Sequence, residues 1–395
     1  MGVRLDALLA AIGEDPRPEG PAIAQVGARI QDILHLECRA RLRELKRLWA
    51  PHDPNPEGVP RPSSGPDGLA PCWAALDALL ARANYVVIEA DELERALLSQ
   101  SVFPLALHTR LDDFAELKLW RRGLTLRSEV LPAWLGLRRR PVQVESYERV
   151  VLGVRFQDAS HFAGSKRKLP FTPGETTIKL FQDVPAQDLE MLFPNIAVKM
   201  RWRDHLALWG PALIGGIGVL AKSLGPLMVV AGLIWLRMHE GGGVRALQPK
   251  EWAAIGLAAS AAVGIVVFSI RQLSRFKARK IAFLQLLTRS LYFRNLDNNA
   301  GVFHRLLDSA EEEESAEAAL AYAMLRWAGP LEPDQLDARC EAWLAERFDV
   351  DVDFDTRDAL AKLERFGVVH EQEGRWQTLE PADALTSLDQ RWAAR

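Results

Sequence analysis

Cysteine is scarce in this chain. The three present, Cys38, Cys72 and Cys340, lie far apart, with no C-x-x-C and no neighbouring His pair. That spacing argues against a disulfide framework or a zinc site and fits a reducing compartment. Histidine is sparse too: eight are scattered, and no G-x-S-x-G occurs. Serine or cysteine hydrolase chemistry therefore has little support. The first residues, MGVRLDALLAAIGEDP, lack a full apolar h-region and an A-x-A site, which argues against a signal peptide. Asp6 stands where a myristoylation signal needs Ser or Thr.

What the chain does have is a strong partition of charge. The net charge of −3 hides a basic middle and an acidic end. Residues 271–310 carry 8 basic against 2 acidic residues, and residues 311–395 carry 9 against 21. Such asymmetry marks separate segments rather than one uniform surface. Arg outnumbers Lys, a bias of GC-rich bacterial genomes.

Residues 1–50 read as an N-terminal helical segment. Ile23, Val26, Ile30, Leu42, Leu45 and Leu48 recur at helical spacing. Residues 51–71 hold seven prolines and read as a Pro/Gly-rich linker. Residues 72–203 mix helical stretches (ADELERALLSQS) with alternating, β-branched ones (QVESYERVVLGVRF, TTIKLF), and predict a soluble α+β domain. Strands do not alternate regularly with helices there, so a doubly wound sheet is not indicated.

Residues 204–270 carry two apolar blocks, within 206–236 and 252–270. The second has nineteen uncharged residues, about 28 Å as a helix, close to a bilayer core of about 30 Å. The first is broken by Lys222-Ser223 and Gly225-Pro226, which predicts a kinked span or two half-spans. Gly256, Ser260 and Gly264 fall four apart and give a small-residue face for helix packing in lipid. Basic residues are denser on both flanks than in the connecting loop. The expectation is a two-span transmembrane helical hairpin in the inner membrane of a bacterium, with both termini cytoplasmic.

Gly216 to Ser223 nearly spells a phosphate-binding loop, but Ala221 replaces its second Gly. The strand, turn and helix such a loop needs do not surround it, so the match reads as false. Lys222 then stands as an intramembrane polar residue, snorkelling to an interface or facing a partner helix.

The basic segment 271–310, read as a juxtamembrane helix with a DNN motif, runs into the acidic one through LTRSLYFRNLDNNAGVFHRLLDSAEEEE, residues 287–314. Phe293, Leu296, Ala300, Phe303, Leu307 and Ala310 form one packing seam. His304 and Asp308 are four apart, a spacing open to metal binding or to a solvated ion pair. The acidic run Glu311–Glu314 reads as a solvated helix face, or as docking on 271–280 or on a partner. Residues 311–395 predict three helices and a hairpin turning at EQEG, an acidic winged-helix-like domain. Its negative charge argues against nucleic acid as a partner.

TIKLFQDVPAQDLEMLFPN (177–195) and the 287–314 stretch resemble the two signature stretches of the transmembrane protein 143 family, which carries domain of unknown function 3754. The resemblance covers roughly residues 85–325. It makes Asp297, Asn298, Asn299, Gly301, His304 and Asp308 family-motif residues and implies a membrane hairpin flanked by soluble parts. It brings no enzyme activity and no cofactor. The sequence thus predicts a membrane-anchored scaffold or regulatory adaptor, not an enzyme, with a protein partner or self-association. The alternatives are a channel or transporter subunit with Lys222 in the pathway, or a metal-dependent enzyme around His304 and Asp308.

Overall fold

The computed structural model describes residues 3–54, 68–98, 106–133, 138–164, 169–199 and 249–394, with six single positions between 228 and 239. Its centre is a five-stranded antiparallel sheet in the order β1-β3-β4-β5-β7. The strands are β1 (Val86–Val87), β3 (Phe114–Ala133), β4 (Arg138–Phe156), β5 (Thr176–Pro185) and β7 (Asn295–Asn298). A separate pair, β2 (Ala106–His108) and β6 (Ala197–Lys199), is also antiparallel. The protein is thus mixed α and β.

Both faces of the sheet are covered. Alternation along β4 and β5 sends Val151, Ile178 and Leu180 to one side and Val150, Leu152 and Phe181 to the other. The first side packs on three helices. These are the C-terminal half of α2 (Gly20–Trp49), α3 (Ala70–Arg82) and the N-terminal half of a later helix, α7 (Ala300–Ala328). The second side packs under α4 (Ala90–Leu98) and the turns around Leu189 to Phe193. Gly153 sits in mid-strand because Trp73 lies against it; a Cβ there would meet the indole at 2.8 Å.

The other halves of α2 and α7 build a second core. Ile23, Val26 and Ile30 of α2 pack with Leu320 and Tyr322 of α7. Around them lie α1 (Leu5–Gly13), α8 (Pro333–Phe348), α9 (Thr356–Phe366) and α10 (Pro381–Ala393). The hairpin β8 (Val369–Gln372) and β9 (Arg375–Thr378) closes it. That hairpin turns at Glu373-Gly374, both at positive φ (54° and 79°), the backbone a tight two-residue turn needs. A short four-residue helix, α5 (Ala159–Phe162), completes the small elements.

Glu311 to Glu314 hold this arrangement together. Four consecutive helical residues point around most of a helix, so each meets a different neighbour. Glu311 accepts from His35 Nδ1 (2.9 Å), and Glu312 lies 3.8 Å from Arg4. Glu313 takes Arg122 of β3 at 2.8 Å. Glu314, 4% exposed, takes Arg82 of α3 through both oxygens at 2.6 and 2.7 Å. The acidic run is therefore not a free solvated face, and its partners among the described residues include Arg4, His35, Arg82 and Arg122.

One long helix, α6 (Pro249–Arg294, 46 residues), runs into β7. It overturns the expected membrane hairpin. Among the described residues no helix is long and apolar enough to cross a membrane. The apolar stretch 252–270 is not a separate span but the first part of α6, which continues through exposed Arg271 and Lys277. An apolar run in the sequence shows neither where its helix ends nor what that helix carries further on. The block 206–236 lies almost wholly outside the described residues, as does Lys222. The inner-membrane location with two cytoplasmic termini goes with the spans. So do the membrane-anchored scaffold and the channel with Lys222 in its pathway.

Candidate functional site

The family-motif residues form a clamp between α6 and α7. β7 pairs with β5 through Lys179↔Asn298 and Leu180↔Asp297. Asn299 then turns the chain, with φ 52°. Its backbone N–H donates to the Ile178 carbonyl at 2.7 Å. Its side-chain oxygen accepts from Thr177 Oγ1 (3.1 Å) and from the Ile178 N–H (3.2 Å). With ψ −126° this backbone is one that glycine alone adopts freely, and the hydrogen bonds of the short amide to the strand beside it hold Asn299 there. Asp297 Oδ1 accepts from the Asn298 N–H (2.9 Å) and occupies the space where a Cβ on Gly301 would lie, 1.9 Å away. Gly301 is required by that carboxylate. Asp297, Asn299 and Gly301 are thus structural parts of a fastening, and Asn298 is exposed at its edge.

The clamp holds α6 at its C-terminal end, where Leu291 packs on the sheet core and Gln182 Nε2 donates to the Phe293 carbonyl (3.3 Å). Further up, one face of α6 stays open. Trp252, Gly256, Ala259, Val263, Val267, Ile270, Ser274, Lys277 and Ile281 are all exposed, and they follow one another at intervals of three and four. Val263 is 61% exposed and Ile270 58%. Such spacing is the seam of a helix pair, with apolar residues at most positions and Ser274 and Lys277 as polar interruptions. Gly256, Ser260 and Gly264, singled out by their spacing, lie exposed on or beside it. Among the described residues, no atom beyond the helix's own neighbouring backbone lies within 4 Å of a Cβ built on Gly256 or Gly264.

His304 and Asp308 are exposed on α7 and line a groove of about 550 Å³ against α2. His35, Arg39, Arg43 and Glu311 share the groove. Arg39 Nε donates to His35 Nε2 at 3.1 Å, so His35 donates from Nδ1 to Glu311. Sequence spacing could not have joined His35 to His304, since they sit on different helices. Among the described residues, no group of three or more His, Cys, Asp or Glu is arranged to hold a metal ion.

The three cysteines are withdrawn from solvent. Burial pushes the thiols of Cys38 and Cys72 up to about 11 and that of Cys340 well above its usual range. Such thiols stay protonated near neutrality and are poor nucleophiles. Lys179 of β5 is lowered by burial, an effect that Glu175 opposes. In α9, the helix before the hairpin, two of the three cations are engaged, and Arg357 is exposed. Lys362 pairs with Asp358 and lies 3.8 Å from Glu317, and Arg365 grips Glu37 at 2.9 and 3.0 Å.

No solved structure matches this chain. A family model described as a protein of unknown function, DUF3754, matches residues 147–301. The match takes in the sheet from Tyr147 of β4 through β5, then α6, and stops at the glycine of the clamp. That stretch of the chain is similar to the DUF3754 family, and the similarity covers α6, the strand β5 that anchors its end and the motif that fastens the two.

Proposed function

We propose that this protein is a non-catalytic binding module that pairs with a second copy of itself along α6. The observation that carries the reading is the exposed seam from Trp252 to Ile281, held out from a sheet that fixes its base. Burying one valine is worth about 1.5–3 kcal/mol, so a few seam positions contributed by each of two copies outweigh the cost of association. A self-complementary patch closes as a two-fold pair, which needs no other partner. Buried, protonated thiols and a motif used as a fastening support a role without catalysis. The ion pairs on Lys362 and Arg365 support a reading without nucleic acid. We infer, on the two stretches 177–195 and 287–314, that the chain is related to the transmembrane protein 143 family; that relation carries no membrane span with it.

Sedimentation of the purified full chain tests the pairing. Dimer that dissociates on dilution is the expected result, and Val263→Asp with Val267→Asp gives monomer at every concentration. A wild-type chain that stays monomeric up to its solubility limit would overturn the proposal.

A further inference from the structure

A second feature lies at the β1 edge of the sheet, opposite the β7 edge that carries the clamp. Between α3, α4 and β3 opens a cleft of about 840 Å³. That volume is within the range of small-molecule pockets, about 300–1,000 Å³. Its walls are mainly apolar: Val87, Ile88, Leu93, Leu111 and Leu117, with Trp120 at the floor. Val87 and Leu111 remain 48% and 41% exposed, although apolar neighbours surround them. Groups this apolar left open to water inside a concave site favour a ligand that covers them.

The charges say which ligand. Lys118 is the cation in the lining, and it is already neutralised. Its ammonium lies 2.8 Å from one oxygen of Asp77 and stands 5.8 Å from the Trp120 ring centre. The other oxygen of Asp77 accepts from the Trp120 indole at 3.0 Å. Asp77 and Lys118 thus cancel each other. Glu89 and Glu94, both exposed, also line the cleft. The site presents an apolar interior beneath two negative charges. An anionic ligand is repelled there, and a cationic head is attracted across a low-dielectric wall.

We propose that this cleft binds a small apolar molecule bearing a cationic head, its hydrocarbon against Val87, Leu111 and Leu117, the apolar wall residues left open to water, and its charge at Glu89 and Glu94. The site is independent of the α6 seam and stands whether or not the chain self-associates.

The test uses three chains of equal length below their micellar concentrations: decyltrimethylammonium, decyl sulfate and decanol. Titration calorimetry and tryptophan emission of the full chain report binding. The ammonium is expected to saturate one site per chain, with decyl sulfate at least about tenfold weaker from like-charge repulsion at close range. Ala81→Trp, on the exposed wall of α3, fills the cleft and abolishes saturation. Val87→Trp serves as a second block should the first disturb folding, as judged by circular dichroism. Glu89→Gln with Glu94→Gln lowers ammonium affinity about tenfold and leaves decanol unchanged. Non-saturating ammonium binding, or saturation that survives a folded blocking variant, overturns the site. Sulfate or decanol binding as tightly as the ammonium overturns the cationic-head assignment.

Discussion

Glu317 gives the sharpest quantitative test of the fold. It sits on α7 where the helical core meets α9, 7% exposed. Burial pushes its carboxyl up from 4.5 to about 7, against the pull of Lys362 and with the help of Glu313 and Asp358. A carboxyl raised in the folded state binds its proton more tightly there than in the unfolded chain. Its contribution to stability is therefore complete below pH 4.5 and is lost as pH rises through 7. The shift from 4.5 to about 7, at about 1.4 kcal/mol per unit, makes that loss about 3 kcal/mol. Glu317→Gln keeps the shape and removes the titration. Urea unfolding followed by tryptophan emission is expected to give equal midpoints for the two proteins at pH 4.5. At pH 8 the variant is expected to be more stable by about 3 kcal/mol, with an unchanged slope. A variant less stable than wild type at pH 8 would show that Lys362 needs the charged carboxylate, and would refute the reasoning.

Other substitutions follow from the same contacts. Asn299→Ala removes both acceptor bonds to β5 and leaves a positive-φ backbone without its amide, costing about 2–4 kcal/mol in thermal unfolding, whereas Asn299→Asp keeps the acceptor and stays within about 1 kcal/mol. Arg82→Met leaves the buried Glu314 carboxylate without its bidentate partner and destabilises by about 3–5 kcal/mol; a midpoint shift below 1 kcal/mol would mean the pair adds nothing. Gly153→Ala forces Trp73 from its place and costs about 1–3 kcal/mol, with a changed tryptophan emission. Lys277→Leu removes one of the two polar interruptions in the α6 seam and tightens self-association about tenfold by sedimentation; weaker association would place Lys277 outside the contact.

Much of the local structure is written in local spacing. The period of Ile23, Val26 and Ile30 finds α2, and alternation finds β4 and β5. The EQEG turn finds the C-terminal hairpin. Long-range facts are not local. The 287–314 stretch reads as one helical seam, yet β5 captures residues 295–298 as a strand and Asn299 restarts the helix. Phe303, Leu307 and Ala310 are buried as the seam predicts, while Phe293 is 63% exposed. The run Glu311–Glu314 looks like a solvated face because its partners, Arg4, His35, Arg82 and Arg122, are distant in sequence. The apolar block 252–270 looks like a span because composition reports hydrophobicity and not the extent of the helix that carries it. Neither the cleft under α4 nor its paired Lys118 leaves any mark on a single sequence window, since its walls come from three separate elements.

The second core has a consequence for synthesis. Ile23, Val26 and Ile30 of α2 are covered by residues of α7 and α8, which leave the ribosome roughly 300 residues later. At about 5–20 residues per second, the apolar stripe of α2 stays uncovered for about 15–60 s on every nascent chain. During that wait it is a natural ligand for a chaperone, and a ribosome stalled before residue 320 releases a chain that cannot bury it.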